Sequence, residues 1–212
     1  VAFVHPNGQD GMIATYATLY GGFRATMINL AAGPDAMAFA LAHSGARFAF
    51  VHETQVETFK QIAPDGVTAL AAENLDQSAP LHAIGAEDHA LLMYTSGTTG
   101  KPKGVVHSHA SLLAGGWTAA VAHALAPLDR GFCVLPIYHI NGLCVTVMGS
   151  LVAGGSLAMV SRFSASNFWD QLSTGQATWF SVVPTIISHL LHGQTNPDSA
   201  TCARLRFGRS AS

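Results

Sequence analysis

The stretch LLMYTSGTTGKPKGVVHSH, Leu91 to His109, decides how the rest of the chain is read. Leu91 to Tyr94 form an apolar run suited to a buried strand. The next ten residues hold four hydroxyl side chains, three glycines and two lysines, with no carboxylate among them. In open α/β sheets, ligands sit outside the carboxyl ends of strands, where a short loop turns the chain back. Gly97, Gly100 and Gly104 allow tight turns and close approach of the backbone to a ligand. Thr95, Ser96, Thr98 and Thr99 place hydroxyl donors beside the backbone N–H groups, and Lys101 and Lys103 add positive charge. Together these groups suit a polyanion such as a triphosphate.

The loop is not a P-loop of the form G-x-x-x-x-G-K-[ST]. The first glycine of that pattern would fall at Thr95, and Lys101 is followed by Pro102. Proline lacks an N–H and cannot continue a helix interior, so the phosphate is not handed to a helix N-terminus here. The short piece GTTGK could be a solvated surface turn, but the run from Tyr94 to Gly104 is too consistent in chemistry for that.

Outward from the loop, short apolar runs alternate with helical periodicity, the pattern of parallel sheets covered on both faces. Toward the N-terminus, VAFV (1–4), TMINL (26–30), RFAFV (47–51) and VTAL (67–70) read as strands. Between them lie a helix with Met12, Ile13, Tyr16, Leu19, Tyr20 and Phe23 on one face, a helix from Ala36 to Ser44 closed by Gly45, and another from Glu53 to Ile62. Residues 74–89 mix polarity without a period and read as a linker. Beyond the loop, GVVHS, FCVLP, SLAMV, ATWFSVV and LRFGRSAS read as strands. The expected helices there are Ser111 to His123, Asn141 to Val152, one capped by Ser164 and ending at Leu172, and one from Pro184 to Leu191 with proline in its first turn. The fold class is therefore α/β, with two consecutive parallel-sheet subdomains at 1–75 and 90–212, a linker at 76–89 and the loop at 94–104.

Composition narrows the function. The chain has 212 residues, 49% of them hydrophobic and 10% charged, against about 25% charged in ordinary soluble domains. Between Lys103 and Asp170 the only charged residues are Asp129, Arg130 and Arg162. So long an uncharged stretch is expected to be wrapped by other structure, and the chain is expected to be an internal stretch of a longer protein. A net charge of -2 and the absence of a Lys/Arg cluster argue against a nucleic-acid face. Cys133, Cys144 and Cys202 are few, odd in number and scattered, which suggests a reducing, cytoplasmic setting without a zinc site. The apolar run Leu143 to Val160 is about long enough to cross a bilayer, but Gly149, Gly154 and Gly155 break it, so no transmembrane segment is expected.

YTSGTTGKPKGV matches position for position the phosphate-loop signature of the AMP-forming adenylating enzymes, which include acyl-CoA synthetases, peptide-synthetase adenylation domains and beetle luciferase. The resemblance extends through VAFVHPNGQDGMIATYATLYGGFRATMINL, LPIYHINGL, ATWFSVVPTIISHLL and LRFGRSAS. It covers nearly the whole chain, and the chain covers less than half of a family member.

The resemblance implies ATP-dependent activation of a small-molecule carboxylic acid to an acyl-adenylate, then thioester formation with CoA, with Mg2+ as cofactor. Thr95, Ser96, Gly97, Thr98, Thr99, Gly100, Lys101 and Lys103 would hold the leaving pyrophosphate, Lys101 and Thr98 acting most directly. His139 would line the acyl pocket, with Asn141, Gly142 and Thr185 beside it, and Ser212 would begin the adenine floor. Trp179, Phe180 and Pro184 either wall that pocket or fill core, while His107, His109 and Arg162 read as structural. The family's magnesium-serving glutamate, ribose-binding aspartate and C-terminal lysine have no counterpart in residues 1–212, so these residues alone are expected to be inactive. Two other readings are an amino-acid adenylation domain loading a carrier protein and a non-catalytic nucleotide-binding relative.

Overall fold

The structure is a computed structural model that describes residues 1–70, 80–95, 102–193 and 195–210. The chain divides into two compact units, Val1–Leu112 and Leu113–Ser212.

The first unit is built on a six-stranded sheet. Its strands are β1 (Ala2–Val4), β2 (Ala25–Met27), β3 (Phe48–Val51), β4 (Thr68–Leu70), β5 (His89–Thr95) and β6 (Lys103–Ser108), in the order β4-β3-β1-β2-β5-β6. All neighbours are parallel except β5 and β6, which form an antiparallel pair. The central strands are apolar on both faces, as a parallel sheet covered by helices requires. Ala2, Val4, Ala49 and Leu92 pack with Ile28, Met37 and Leu41 in one core.

The helices of this unit are α1 (Gln9–Tyr20), α2 (Pro34–Ser44) and α3 (Val56–Ile62), the last preceded by a 3₁₀ turn at Glu53–Gln55. Helix α2 starts on Pro34 and stops at Gly45, whose φ of 65° is left-handed, a conformation cheap only for glycine. The expected apolar face of α1 is corrected in part. Met12 and Leu19 are buried, but Ile13 is 57% and Tyr20 66% exposed, and Phe23 lies beyond the helix. The buried side is carried instead by Gly11, Ala14, Thr15 and Thr18.

The sheet of the second unit has the order β10-β9-β7-β8, every pair parallel. Its strands are β7 (Arg130–Cys133), β8 (Ser156–Met159), β9 (Trp179–Val182) and β10 (Phe207–Ser210). Its helices are α4 (His109–Ala122), which begins in the first unit, α5 (Gly149–Val152), α6 (Phe168–Thr174), α7 (Pro184–Leu191) and α8 (Ser199–Arg204), with a π-helix at Asn141–Met148. Phe132, Phe168, Leu172, Val182 and Ile186 form the core. Trp179 is fully buried and stacks on Phe207 with ring centroids 5.5 Å apart, so it fills core.

Four expectations change. The compact units divide at Leu112 and not within 76–89, because β5 and β6 complete the first sheet. Ser164 does not cap α6. Its carbonyl accepts from the Asn167 N–H at 3.2 Å in a turn, and the helix begins at Phe168. Helix α8 was not expected; the Asp198 carboxylate caps it, accepting from the Thr201 N–H at 2.7 Å. Asn141–Met148 is π-helical, where an α-helix was expected. Among the described residues no helix is long and apolar enough to cross a membrane.

Candidate functional site

In the first unit, the loop is held between the paired ends of β5 and β6. Thr95 lies opposite Lys103 and Tyr94 opposite Gly104, so the chain leaves and re-enters the sheet at one register step. Thr95 and Lys103 are exposed, and Lys103 makes no ion pair among the described residues. Ser96, Gly97, Thr98, Thr99, Gly100 and Lys101 lie outside the described residues, as does Ser212.

Tyr94 anchors the hairpin. It is buried, its hydroxyl is hydrogen-bonded to Nδ1 of His43 on α2 at 2.9 Å, and its ring meets those of Phe39 and His43 edge-on. Burial raises the phenol pKa above its ordinary 10.0, against the opposing charge of Arg24, so the phenol keeps its proton. Gly104 faces this anchor. A Cβ there would lie 3.0 Å from Leu92 Cδ1 and 3.5 Å from the Tyr94 ring. Glycine therefore lets β6 close down beside Tyr94.

The candidate acyl pocket residues belong to the second unit. The connection leaving β7 runs to β8 on one side, whereas the connection leaving β9 runs to β10 on the other. Adjacent strands whose connections diverge leave a crevice at their carboxyl ends. His139 and Asn141 follow β7; Pro184 and Thr185 follow β9. The residues beyond β7 turn tightly: the His139 N–H donates to Pro136 O at 3.1 Å, and the Leu143 N–H donates to His139 O at 3.0 Å. Gly142 is buried, and a Cβ on it would collide with Pro136 O and lie 2.8 Å from Leu135 O. Its place is dictated by backbone packing, which positions its neighbours.

His139 is exposed and meets the Tyr138 ring edge-on at 4.9 Å. Partial desolvation lowers its pKa below the ordinary 6.5, so the neutral imidazole prevails at pH 7. Thr185 is exposed on the first turn of α7. Asn141 lies at the centre of a polar cluster missing from the sequence expectations. Its Oδ1 accepts from Ser181 Oγ at 3.0 Å and from Arg209 Nη1 at 2.9 Å, and the same Nη1 donates to Ser181 Oγ at 2.9 Å. Ser181 and Arg209 are register partners on β9 and β10. A buried serine inside the apolar run WFSV was the signal for this cluster.

A second polar cluster is structural. Asp129 is buried, accepts from the Arg206 guanidinium, and also accepts from the Ala126 N–H and the Thr178 hydroxyl. Burial favours the neutral acid, but the hydrogen bonds from Arg206, Ala126 and Thr178 outweigh it and hold the carboxyl below its ordinary 3.8. The cluster ties the start of β7 to residues flanking β9 and β10. Among the described residues no group of three or more His, Cys, Asp or Glu could hold a metal ion.

Known proteins resemble this chain in sequence and in fold. Sulfoacetate–CoA ligase of Cupriavidus necator is 40% identical over 98% of this chain and 43% of its own length. Crotonobetaine/carnitine–CoA ligase of Salmonella typhi is 36% identical over 64% of this chain and 27% of its own length. ATP-bound MatB of Rhodopseudomonas palustris has the same fold, with a TM-score of 0.86 over 100% of this chain and 44% of that one, at 24% identity. The chain thus spans less than half the length of the curated relatives it matches. The model of the AMP-binding enzyme family matches residues 1–211, and the chain belongs to that family.

Proposed function

We propose that the protein carrying this chain is an AMP-forming ligase that joins a carboxylic acid to CoA. In the first step a carboxylate oxygen attacks the α-phosphorus of ATP; the new P–O bond forms as the bond to the β-phosphate oxygen breaks, and pyrophosphate leaves. In the second, the CoA sulfur attacks the acyl carbon, the thiol proton is lost, and AMP leaves with the bonding pair. The observation that supports the reading is the Tyr94–Gly104 motif in the sequence, whose end residues Tyr94 and Gly104 are register partners on β5 and β6.

The chain's own residues act by positioning and by meeting charge. Thr95, Ser96, Thr98 and Thr99 donate to the departing pyrophosphate, and Lys101 and Lys103 neutralise it. His139, neutral at pH 7, borders the acid without repelling or trapping it, and Thr185 walls the same crevice. Mg2+ would accompany the triphosphate, but the described residues do not compose a site for it, and no step here depends on one. Acid-dependent exchange of pyrophosphate into ATP by the full-length protein, and CoA-dependent release of AMP, test the two steps separately.

A further inference from the structure

The two arginines near the last strand have different company. Arg206 meets the Asp129 carboxylate. Among the described residues Arg209 meets only neutral oxygens, Asn141 Oδ1 and Ser181 Oγ, both through Nη1. Among the described residues no carboxylate lies within ion-pair distance of it, and its Nε and Nη2 make no hydrogen bond. Yet it is half-buried, and a guanidinium stays charged at any working pH. A partly desolvated cation without a counter-charge is costly unless an anion arrives to meet it.

Its position says where that anion would come. Arg209 is the third residue of β10, opposite Ser181 of β9, and reaches Asn141 in the connection that follows β7. Three consecutive sheet neighbours thus converge on one guanidinium at the crevice where the connections diverge. Ser181 is 1% exposed, so its hydroxyl holds Nη1 from the buried side. With Nη1 pinned by two acceptors, the remaining N–H groups keep a fixed direction, which bidentate recognition of an oxyanion needs.

We propose that Arg209 is a specificity-determining residue that binds a second anionic group on the acid substrate, so that the preferred acids are short and carry a carboxylate or sulfonate at the far end. This rests on the ligase reading above and names its substrate class.

The test compares matched acids in the full-length protein: malonate, succinate and sulfoacetate against propionate and butyrate. The wild type should prefer the doubly charged acids. Arg209→Gln, which keeps an amide donor toward Asn141 and Ser181, should lower the kcat/KM ratio of malonate to propionate roughly ten- to a hundredfold. Arg209→Lys keeps the charge without the planar fork. Its ratio should fall by roughly threefold, and it carries the test if the Gln variant does not fold. Equal losses on both acids, an unchanged ratio, or a wild type that favours propionate and butyrate would overturn the proposal and leave the ligase reading standing. Equilibrium binding of malonate without ATP separates the two failures. If no acid supports AMP release, binding lost in R209Q still upholds the anion site, while binding equal in both proteins, or absent from both, sinks it.

Discussion

At the residue scale, the account turns on two lysines in a stretch of sequence, residues 95–104, that holds no carboxylate. A charge-assisted hydrogen bond to phosphate contributes about 1.5 to 3 kcal/mol, so Lys101→Ala should slow pyrophosphate exchange roughly ten- to a hundredfold while leaving the thermal midpoint in place. Unchanged exchange would remove Lys101 from the proposed role. The residues of this loop were legible in the sequence because their chemistry is local: hydroxyls, glycines and lysines crowd into ten positions. Beyond the serine inside WFSV, the Asn141 cluster was not legible, because its hydrogen bonds join residues 40 and 68 positions apart. Only the fold brings Ser181 and Arg209 to Asn141. Trp179 and Phe180 posed a choice between pocket and core, and burial decides it for Trp179, which is fully enclosed.

At the scale of elements, local signals succeed where they act within one turn. Pro184 fixes the start of α7 and Gly45 the end of α2, and both were read from sequence. The misreadings share a cause: a helix's buried face and hydrogen-bond pattern are set by what it packs against. Helix α1 buries Gly11, Ala14, Thr15 and Thr18 beside Met12 and Leu19, and leaves Ile13 and Tyr20 exposed. The segment from Asn141 becomes π-helical, and a Cβ at Gly142 would run into the carbonyls of Leu135 and Pro136 there. Gly142→Ala would force the backbone at Pro136 to move, at a cost of about 1 to 3 kcal/mol. Urea unfolding of the full-length protein should show a lower midpoint with an unchanged slope; an unmoved midpoint would mean this turn yields easily. The hairpin β5–β6 shows a further limit. Both strands were read correctly, but their antiparallel pairing follows from the short connection through the loop, and it assigns both to the first sheet.

Over the whole molecule, alternation of strand and helix announced two parallel-sheet bodies, and both are present. Their division falls elsewhere than expected because strand pairing, which is non-local, decides membership. Stability should carry the mark of Asp129. Its carboxyl ionises more readily folded than unfolded, so its contribution is complete above about pH 4 and is lost as the pH falls toward the depressed folded value. Asp129→Asn should lower the thermal midpoint at pH 7 and flatten its decline on acidification. A variant with the wild-type acid profile would show that the Arg206 contact contributes nothing to the fold.

The central claim is that this family member activates carboxylates through the Tyr94–Gly104 loop. Exchange of labelled pyrophosphate into ATP by the full-length protein, run with and without each acid, tests it most directly. The account predicts exchange that requires a carboxylic acid, proceeds without CoA and falls sharply when Lys101 is replaced. Exchange absent with every acid, or equally fast with none, would contradict it.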